Sequence, residues 1–144
     1  MAPGDKRPAP GFRAELGELA GVIGIGTDLV DVERMRKVLA RTPSFAARVF
    51  TDDERALAES RADPAKPFAA RFAAKEAVLK AFGMGIGDLP IRSIEVVRAE
   101  SGEPSIVLHG AAADLAVERG VSRLLLSLTH TEHVAHAMVV ALRD

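Results

Sequence analysis

The chain has 144 residues, a length that suits one domain with a substantial core. Hydrophobic residues make up 48% and charged ones 27%, which excludes the disordered and membrane classes, and a net charge of −1 excludes a protein that coats nucleic acid. There is no cysteine, so disulfides, thiolate metal sites and a cysteine nucleophile are ruled out and any metal must take oxygen or imidazole ligands.

Residues Met1 to Pro10, with three prolines and alternating charges, have the composition of a flexible tail. Phe12 to Leu19 has room for two turns of weak helix among glycines. The first 21 residues are therefore expected to be an N-terminal extension to a domain at 22–144. No apolar run approaches the roughly 20 residues of a membrane span, and the first residues lack the apolar core of a signal peptide. A cytoplasmic location with no membrane partner is the expectation.

Val22-Ile23-Gly24-Ile25-Gly26 reads as a buried strand ending at Thr27-Asp28. It is not a dinucleotide fingerprint, because Leu29 stands where the third glycine belongs and no βαβ unit follows. Asp28 is either a helix-start residue or a carboxylate presented at a strand end. A two-sided helix from about Asp31 to Arg41 places Val32, Met35 and Leu39 on one face and Arg34, Lys37 and Arg41 on the other. Thr42-Pro43 ends it, and Ser44 is expected to cap a short helix from Phe45 to Phe50 that adds Arg48 to the basic set. Such a basic face is either solvated surface or a dock for an acidic partner.

Thr51-Asp52-Asp53-Glu54 has capping-box spacing and opens a helix to about Ser60. Arg61 to Pro67 reads as a loop into a long helix that stops at Gly83, with Phe68, Phe72, Leu79 and Phe82 as its buried stripe. Glu76 and Lys75 fall at opposite edges of that stripe. Glu76 either pairs with Lys80 at i,i+4 or points into a cleft. Gly83, Gly85 and Gly87 form a loop that follows a helix and lacks Gly-Lys-Ser/Thr, so it is not a P-loop; it suits close passage of a ligand or another subunit.

From Ile91 to Arg98 and Ser105 to His109 the pattern is a β-hairpin, followed by a helix from Ala111 to Arg119 closed by Gly120. Leu124 to Leu128 and Val134 to Leu142 read as strands with Thr129-His130-Thr131 between them. His133 and His136 are three apart, which on a strand turns them to opposite faces and argues against a shared metal. His130, in a turn between hydroxyls, is either a surface residue or a phosphate donor. Helices and strands fall in separate runs, which predicts an α+β fold with a mainly antiparallel sheet packed against a long central helix.

Three blocks carry a family resemblance: Gly24-Ile25-Gly26-Thr27-Asp28-Leu29-Val30-Asp31, then Arg71-Phe72-Ala73-Ala74-Lys75-Glu76-Ala77 with Lys80 and the glycine loop, then Ser127-Leu128-Thr129-His130-Thr131. Over about Val22 to Leu142 the chain resembles holo-[acyl-carrier-protein] synthases, the short single-domain 4′-phosphopantetheinyl transferases. The resemblance implies transfer of phosphopantetheine from coenzyme A to a serine of an acidic apo acyl carrier protein, with release of adenosine 3′,5′-bisphosphate, in fatty acid or polyketide biosynthesis. It implies Mg²⁺ on Asp28 and Glu76, with Asp28, Glu76 and Lys80 catalytic. Lys75, Lys80, Gly83 and Gly85 would serve the phosphates, Arg71 the nucleotide end, and His130 and Thr131 the 3′-phosphate. Arg34, Arg41, Phe45 and Arg48 would dock the carrier protein, and the assembly would be a homotrimer with sites at subunit interfaces. The general base is open between a metal-bound water and a carboxylate. Asp31, where a glutamate is more usual, Met84 in the glycine loop, and residues 1–21 depart from the family pattern. Two other functions compete: a module that binds coenzyme A without turnover, and an adaptor that docks acidic proteins through Arg34.

Overall fold

The computed structural model describes residues 21–144, so the expected extension and its short helix lie, apart from Gly21, outside the described residues. The elements are β1 (Val22–Asp31), α1 (Val32–Arg41), α2 (Ser44–Val49), α3 (Asp52–Glu59), α4 (Ala65–Ala81), β2 (Ile94–Arg98), β3 (Pro104–Leu108), α5 (Gly110–Arg119), β4 (Arg123–His130) and β5 (Val134–Leu142). Strands β1, β5 and β4 form an antiparallel sheet in that order, and β2 and β3 pair as a separate antiparallel hairpin. The architecture is α+β with α4 at its centre, as the segregated runs of helix and strand predict.

Helix α4 lies directly on β1. On β1, Gly24, Gly26, Asp28 and Val30 alternate with the exposed Ile23, Ile25, Thr27 and Leu29, so the glycines and Asp28 share the inward face. A Cβ on Gly26 would stand 1.7 Å from the Ala77 carbonyl oxygen, and one on Gly24 would stand 2.0 Å from that of Ala81. The obstacle is helix backbone, which has no rotamer to change. The glycines of Gly24-Ile25-Gly26 are thus a packing device that admits α4 to backbone contact. Opposite them α4 presents Ala73, Ala74, Ala77 and Ala81, all buried, against Ala137, Val139 and Ala141 of β5. A second cluster clamps α1, α2 and α3 onto the other side of α4, through Phe50 and Phe68 with ring centroids 4.7 Å apart and through Val32 and Met35.

Several elements differ from the sequence reading. β1 continues through Asp31, so Asp28 sits within the strand, not at its end. α4 starts at Ala65, not after Pro67; Pro67 occupies the first turn, where its missing N–H has no intrahelical partner to lose. Burial on α4 goes nearly all round instead of following one aromatic stripe, because sheet and helices enclose it. Ser44 lies inside α2 and caps nothing. Thr51 and Glu54 do form the capping box, and Gly83 (φ 71°) and Gly120 (φ 73°) close α4 and α5 in the left-handed conformation.

Lys75 is the main correction to the expected site. Its side chain is fully buried, its Nζ lies 2.8 Å from Glu54 Oε1, and it also donates to the Ile94 carbonyl. Burial pushes its pKa down, and Glu54 opposes that shift. Glu54 in turn accepts from the Val96 amide at 3.0 Å, and from the Thr51 amide at 2.9 Å. Lys75 therefore ties α3, α4 and β2 together and is not available to a phosphate.

Two outcomes follow from this packing. Gly26→Ala should lower the denaturation midpoint by the equivalent of about 3 kcal/mol, the upper part of the overpacking range; an unchanged midpoint would contradict the close approach. Lys75→Met should cost about 3–5 kcal/mol by leaving Glu54 buried and unpaired. A Lys75→Met protein of unchanged stability that loses only coenzyme A affinity would return Lys75 to the phosphate site.

Candidate active site

The inward face of β1 delivers Asp28 to the side of α4 that carries Glu76 and Lys80. Lys80 donates to Asp28 Oδ1 at 3.1 Å and to the Thr27 carbonyl at 2.9 Å. Its partner is thus Asp28 across the strand, not Glu76 one turn back. Glu76 Oε1 is buried and has no hydrogen-bond partner among the described residues. Burial pushes the Glu76 carboxyl above the usual glutamate range, the Asp28 carboxylate adds to the rise, and Lys80 offsets part of it. A desolvated carboxylate oxygen with no donor, beside a second carboxylate, is a cation-seeking arrangement.

Asp28 and Glu76 line one cleft of about 340 Å³, walled by Phe72 and by Met35 and Val38 of α1. Two expected docking residues, Arg34 and Phe45, also line this cleft, while Arg41 and Arg48 lie exposed on the same two helices. Phe45 is packed against Phe50 and Phe72 at 6.2 and 5.9 Å between centroids, so it is a rigid apolar edge. Asp31 accepts from the Arg34 amide at 2.8 Å as the cap of α1. The glycine loop reaches the cleft through Ile86, which is 71% exposed. Gly83 and Gly85 shape that loop without lining the cleft: the Gly85 amide donates to Asp88 at 2.7 Å, and Arg119 braces the helix end by donating to the Phe82 carbonyl.

A second cleft, of about 540 Å³, lies between the start of α4 and the end of β4. Arg71, His130 and the neighbouring Thr129 line it, as do Arg61, Arg98 and Pro104, which the sequence did not single out as site residues. Arg71 is 5% exposed, its Nε has no partner among the described residues, and its one contact of this kind is a 3.3 Å hydrogen bond to the Pro67 carbonyl. Burial holds its pKa below the ordinary arginine value, opposed by Glu54 and reinforced by the nearby charges of Arg98 and Arg61. Three guanidinium groups converging there suit a phosphorylated ligand. His130 is the last residue of β4, not a turn residue. The Thr131 hydroxyl accepts from the His133 and Val134 amides at 3.2 and 3.1 Å, so Thr129 stands at the cleft where Thr131 was expected. Arg61 and Arg98 had no local signal: one sits in a loop and the other at a hairpin mouth, and only the fold brings them to Arg71.

The two clefts open on different sides of α4. Arg71 and Glu76 are five residues apart, about 140° around the helix. On one chain, Asp28 and Glu76 are brought together with Lys80 and Arg34, whereas Arg71 and His130 form a separate group.

The chain is similar to known proteins over most of its length. Residues 24–139 match the 4′-phosphopantetheinyl transferase superfamily. The holo-[acyl-carrier-protein] synthase of Clavibacter michiganensis is 46% identical over 121 residues, covering 84% of this chain and 96% of the relative. Among solved structures, the holo-[acyl-carrier-protein] synthase of Neisseria meningitidis superposes with a TM-score of 0.77 at 35% identity, covering 83% of this chain and 98% of that one. The holo-(acyl-carrier-protein) synthase of Bacillus anthracis, in complex with CoA (3′,5′-ADP), superposes with a TM-score of 0.72 at 31% identity over 87% of this chain and all of that one. With the family matched over most of its length, this chain belongs to the 4′-phosphopantetheinyl transferase superfamily, among the holo-[acyl-carrier-protein] synthases.

Proposed function

We propose that this chain transfers the 4′-phosphopantetheine group of coenzyme A to a serine of an acidic apo acyl carrier protein, as part of fatty acid or polyketide biosynthesis in the cytoplasm. The observation that carries the reading is the buried Glu76 Oε1, without a partner among the described residues, beside Asp28 in a cleft whose rim bears Arg34 and Phe45. The serine oxygen attacks the phosphorus that bears pantetheine. The P–O bond to the nucleotide phosphate breaks, adenosine 3′,5′-bisphosphate leaves, and the serine proton is released to solvent.

Asp28 and Glu76 fit Mg²⁺, which favours one or two carboxylates and fills its remaining positions with water and phosphate oxygens. No group of three or more ligating side chains gathers among the described residues, so the protein ligands in this reading are Asp28 and Glu76 alone. When bound, the ion would neutralise charge on the diphosphate. Lys80, bound to Asp28 in an adjoining recess lined by Thr27, Leu29 and His136, would place an ammonium beside the carboxylates, where charge develops on the departing phosphate. Arg34, Arg41 and Arg48 form the cationic approach for the carrier protein, and Phe45 its apolar contact. Arg71 and His130 would hold the nucleotide end.

One coenzyme A cannot meet both clefts of the same chain if they face apart across α4. The outer face of the sheet, with Ile23, Ile25, Leu29, Leu125 and Met138 exposed, is an apolar surface suited to other copies. The reading is therefore a homotrimer in which His130 of one copy completes the Asp28–Glu76 cleft of the next, with residues 22–144 as the catalytic domain.

Incubation with coenzyme A, Mg²⁺ and apo acyl carrier protein should add a phosphopantetheine mass to the carrier. Binding of coenzyme A without adduct on any carrier would favour the binding module instead. Glu76→Gln should lose at least about 100-fold in turnover. It should also change the pH dependence of stability in a defined direction. The folded state holds the Glu76 proton more tightly than the unfolded chain does, so ionised Glu76 costs stability above its folded pKa and costs nothing below the unfolded value. The melting temperature of Glu76→Gln relative to the parent should thus be higher at pH 8 than at pH 4, and a constant difference would refute the raised pKa. Finally, light scattering should give three copies, and mixing Glu76→Gln with His130→Ala after dissociation and reassembly should recover activity absent from either alone. No recovery would place both residues in a site within one chain.

A further inference from the structure

Lys66, in the first turn of α4, places its Nζ 2.6 Å from both carboxylate oxygens of Glu132. Glu132 follows Thr131 in the turn between β4 and β5, and Lys66 lies on the wall of the cleft that holds Arg71 and His130. β4 is the edge of its sheet, hydrogen-bonded there only to β5. The turn is closed internally by the Thr131 amide donating to the Val134 carbonyl at 2.8 Å and by the Thr131 hydroxyl. Internal bonds fix its shape but not its place relative to α4. The β4–β5 pairing seats His130 opposite the buried Ala135, and two polar contacts beyond it tie the turn to the helices. The His133 carbonyl accepts from the Val32 amide at 2.8 Å and anchors the far side of the turn to α1; Lys66 anchors the near side, next to His130, to the helix that bears Arg71.

We propose that the Lys66–Glu132 pair is a positioning clasp that holds His130 at a fixed distance from Arg71, and so sets the affinity of the cleft for the 3′-phosphate of coenzyme A. The inference rests on the reading of that cleft as the nucleotide site. Lys66 is a positioning residue here: its charge is matched by Glu132, and the phosphate-facing cations are Arg71, Arg61 and Arg98. Loosening the clasp leaves every one of those groups in the chain but lets the end of β4 move away from them. The cost falls on binding of the nucleotide and not on bond breaking at Asp28, Glu76 and Lys80.

The test uses the full chain with coenzyme A, Mg²⁺ and apo carrier protein, and adenosine 3′,5′-bisphosphate and adenosine 5′-monophosphate as binding probes. Lys66→Ala and Glu132→Ala should each raise the KM for coenzyme A about three- to fivefold with kcat unchanged, the scale of a well-formed exposed ion pair. The double variant should be no worse than either single one, and the charge swap Lys66→Glu with Glu132→Lys should restore most of the affinity. The loss should appear with the bisphosphate and be absent with the monophosphate. If Lys66 instead contacts the phosphate directly, Glu132→Ala will tighten bisphosphate binding and the swap will not rescue, which overturns the clasp. Singles that behave as the parent overturn it too. A parent protein that neither transfers phosphopantetheine nor binds the bisphosphate would overturn the reading of the site itself.

Discussion

The backbone contact between α4 and β1 is the constraint on which the rest of the molecule depends. Gly26 lies under the Ala77 carbonyl and Gly24 under that of Ala81. Two residues of strand advance about 6.6 Å and four residues of helix about 6 Å, so strand and helix stay in step as they run in opposite directions. Asp28 is the next inward residue of the same strand face. It arrives beside α4 at the level where Glu76 and Lys80, one turn apart, project from the helix flank. A larger residue at either glycine would lift the helix away, and the separation between the carboxylates would grow with it. The glycines that resemble a nucleotide fingerprint therefore act on the site through packing, with no ligand contact of their own.

The adjacent residues Lys75 and Glu76 show how burial assigns opposite roles to neighbours on one helix. Lys75 turns toward α3 and β2, where Glu54 and the Ile94 carbonyl match its charge inside the core. A buried pair of this kind contributes little net stability but cannot lose one member cheaply. Glu76 turns toward the cleft and finds another carboxylate, with Lys80 drawn to Asp28. Its Oε1 has no partner among the described residues, and burial raises the carboxyl's pKa. On the proposed reading, a bound cation would give that oxygen its partner.

The sequence made the element order legible because capping signals are local: Thr51 with Glu54, Gly83 and Gly120 stand where caps were expected. The limits of β1 and α4 were not, because both elements owe their extra length to tertiary partners. Strand β1 continues through Asp28 by pairing with β5 as far as Asp31 and Val134, and α4 begins early because Pro67 is harmless in a first turn. Of the proposed site residues, Asp28, Glu76, Lys80 and His130 stand in sequence motifs; the fold brings the first three together and places His130 in the other cleft. Lys75 was misplaced, since a helix projection puts it at the edge of an apolar stripe and cannot see the Glu54 that encloses it. Arg61 and Arg98 were invisible for the complementary reason: each is isolated in sequence and acquires meaning only beside Arg71.

The position of Arg71 relative to Glu76 gives the strongest reason to read this protein as an assembly. Both lie on α4, five residues and about 140° apart, so the helix forms a wall between the carboxylate cleft and the cationic one. A ligand with a 3′-phosphate and a 5′-diphosphate on one ribose has matching partners in each, yet the wall keeps those partners apart within one chain. The same chain leaves the outer face of β1, β5 and β4 apolar beside Asp28. Joining copies through that face would cover the apolar surface and bring the cationic cleft of one copy toward the carboxylates of another. On the proposed reading, assembly and catalysis then have a single structural cause: the sheet whose inner face presents Asp28 to α4 uses its outer face to recruit the second half of the site.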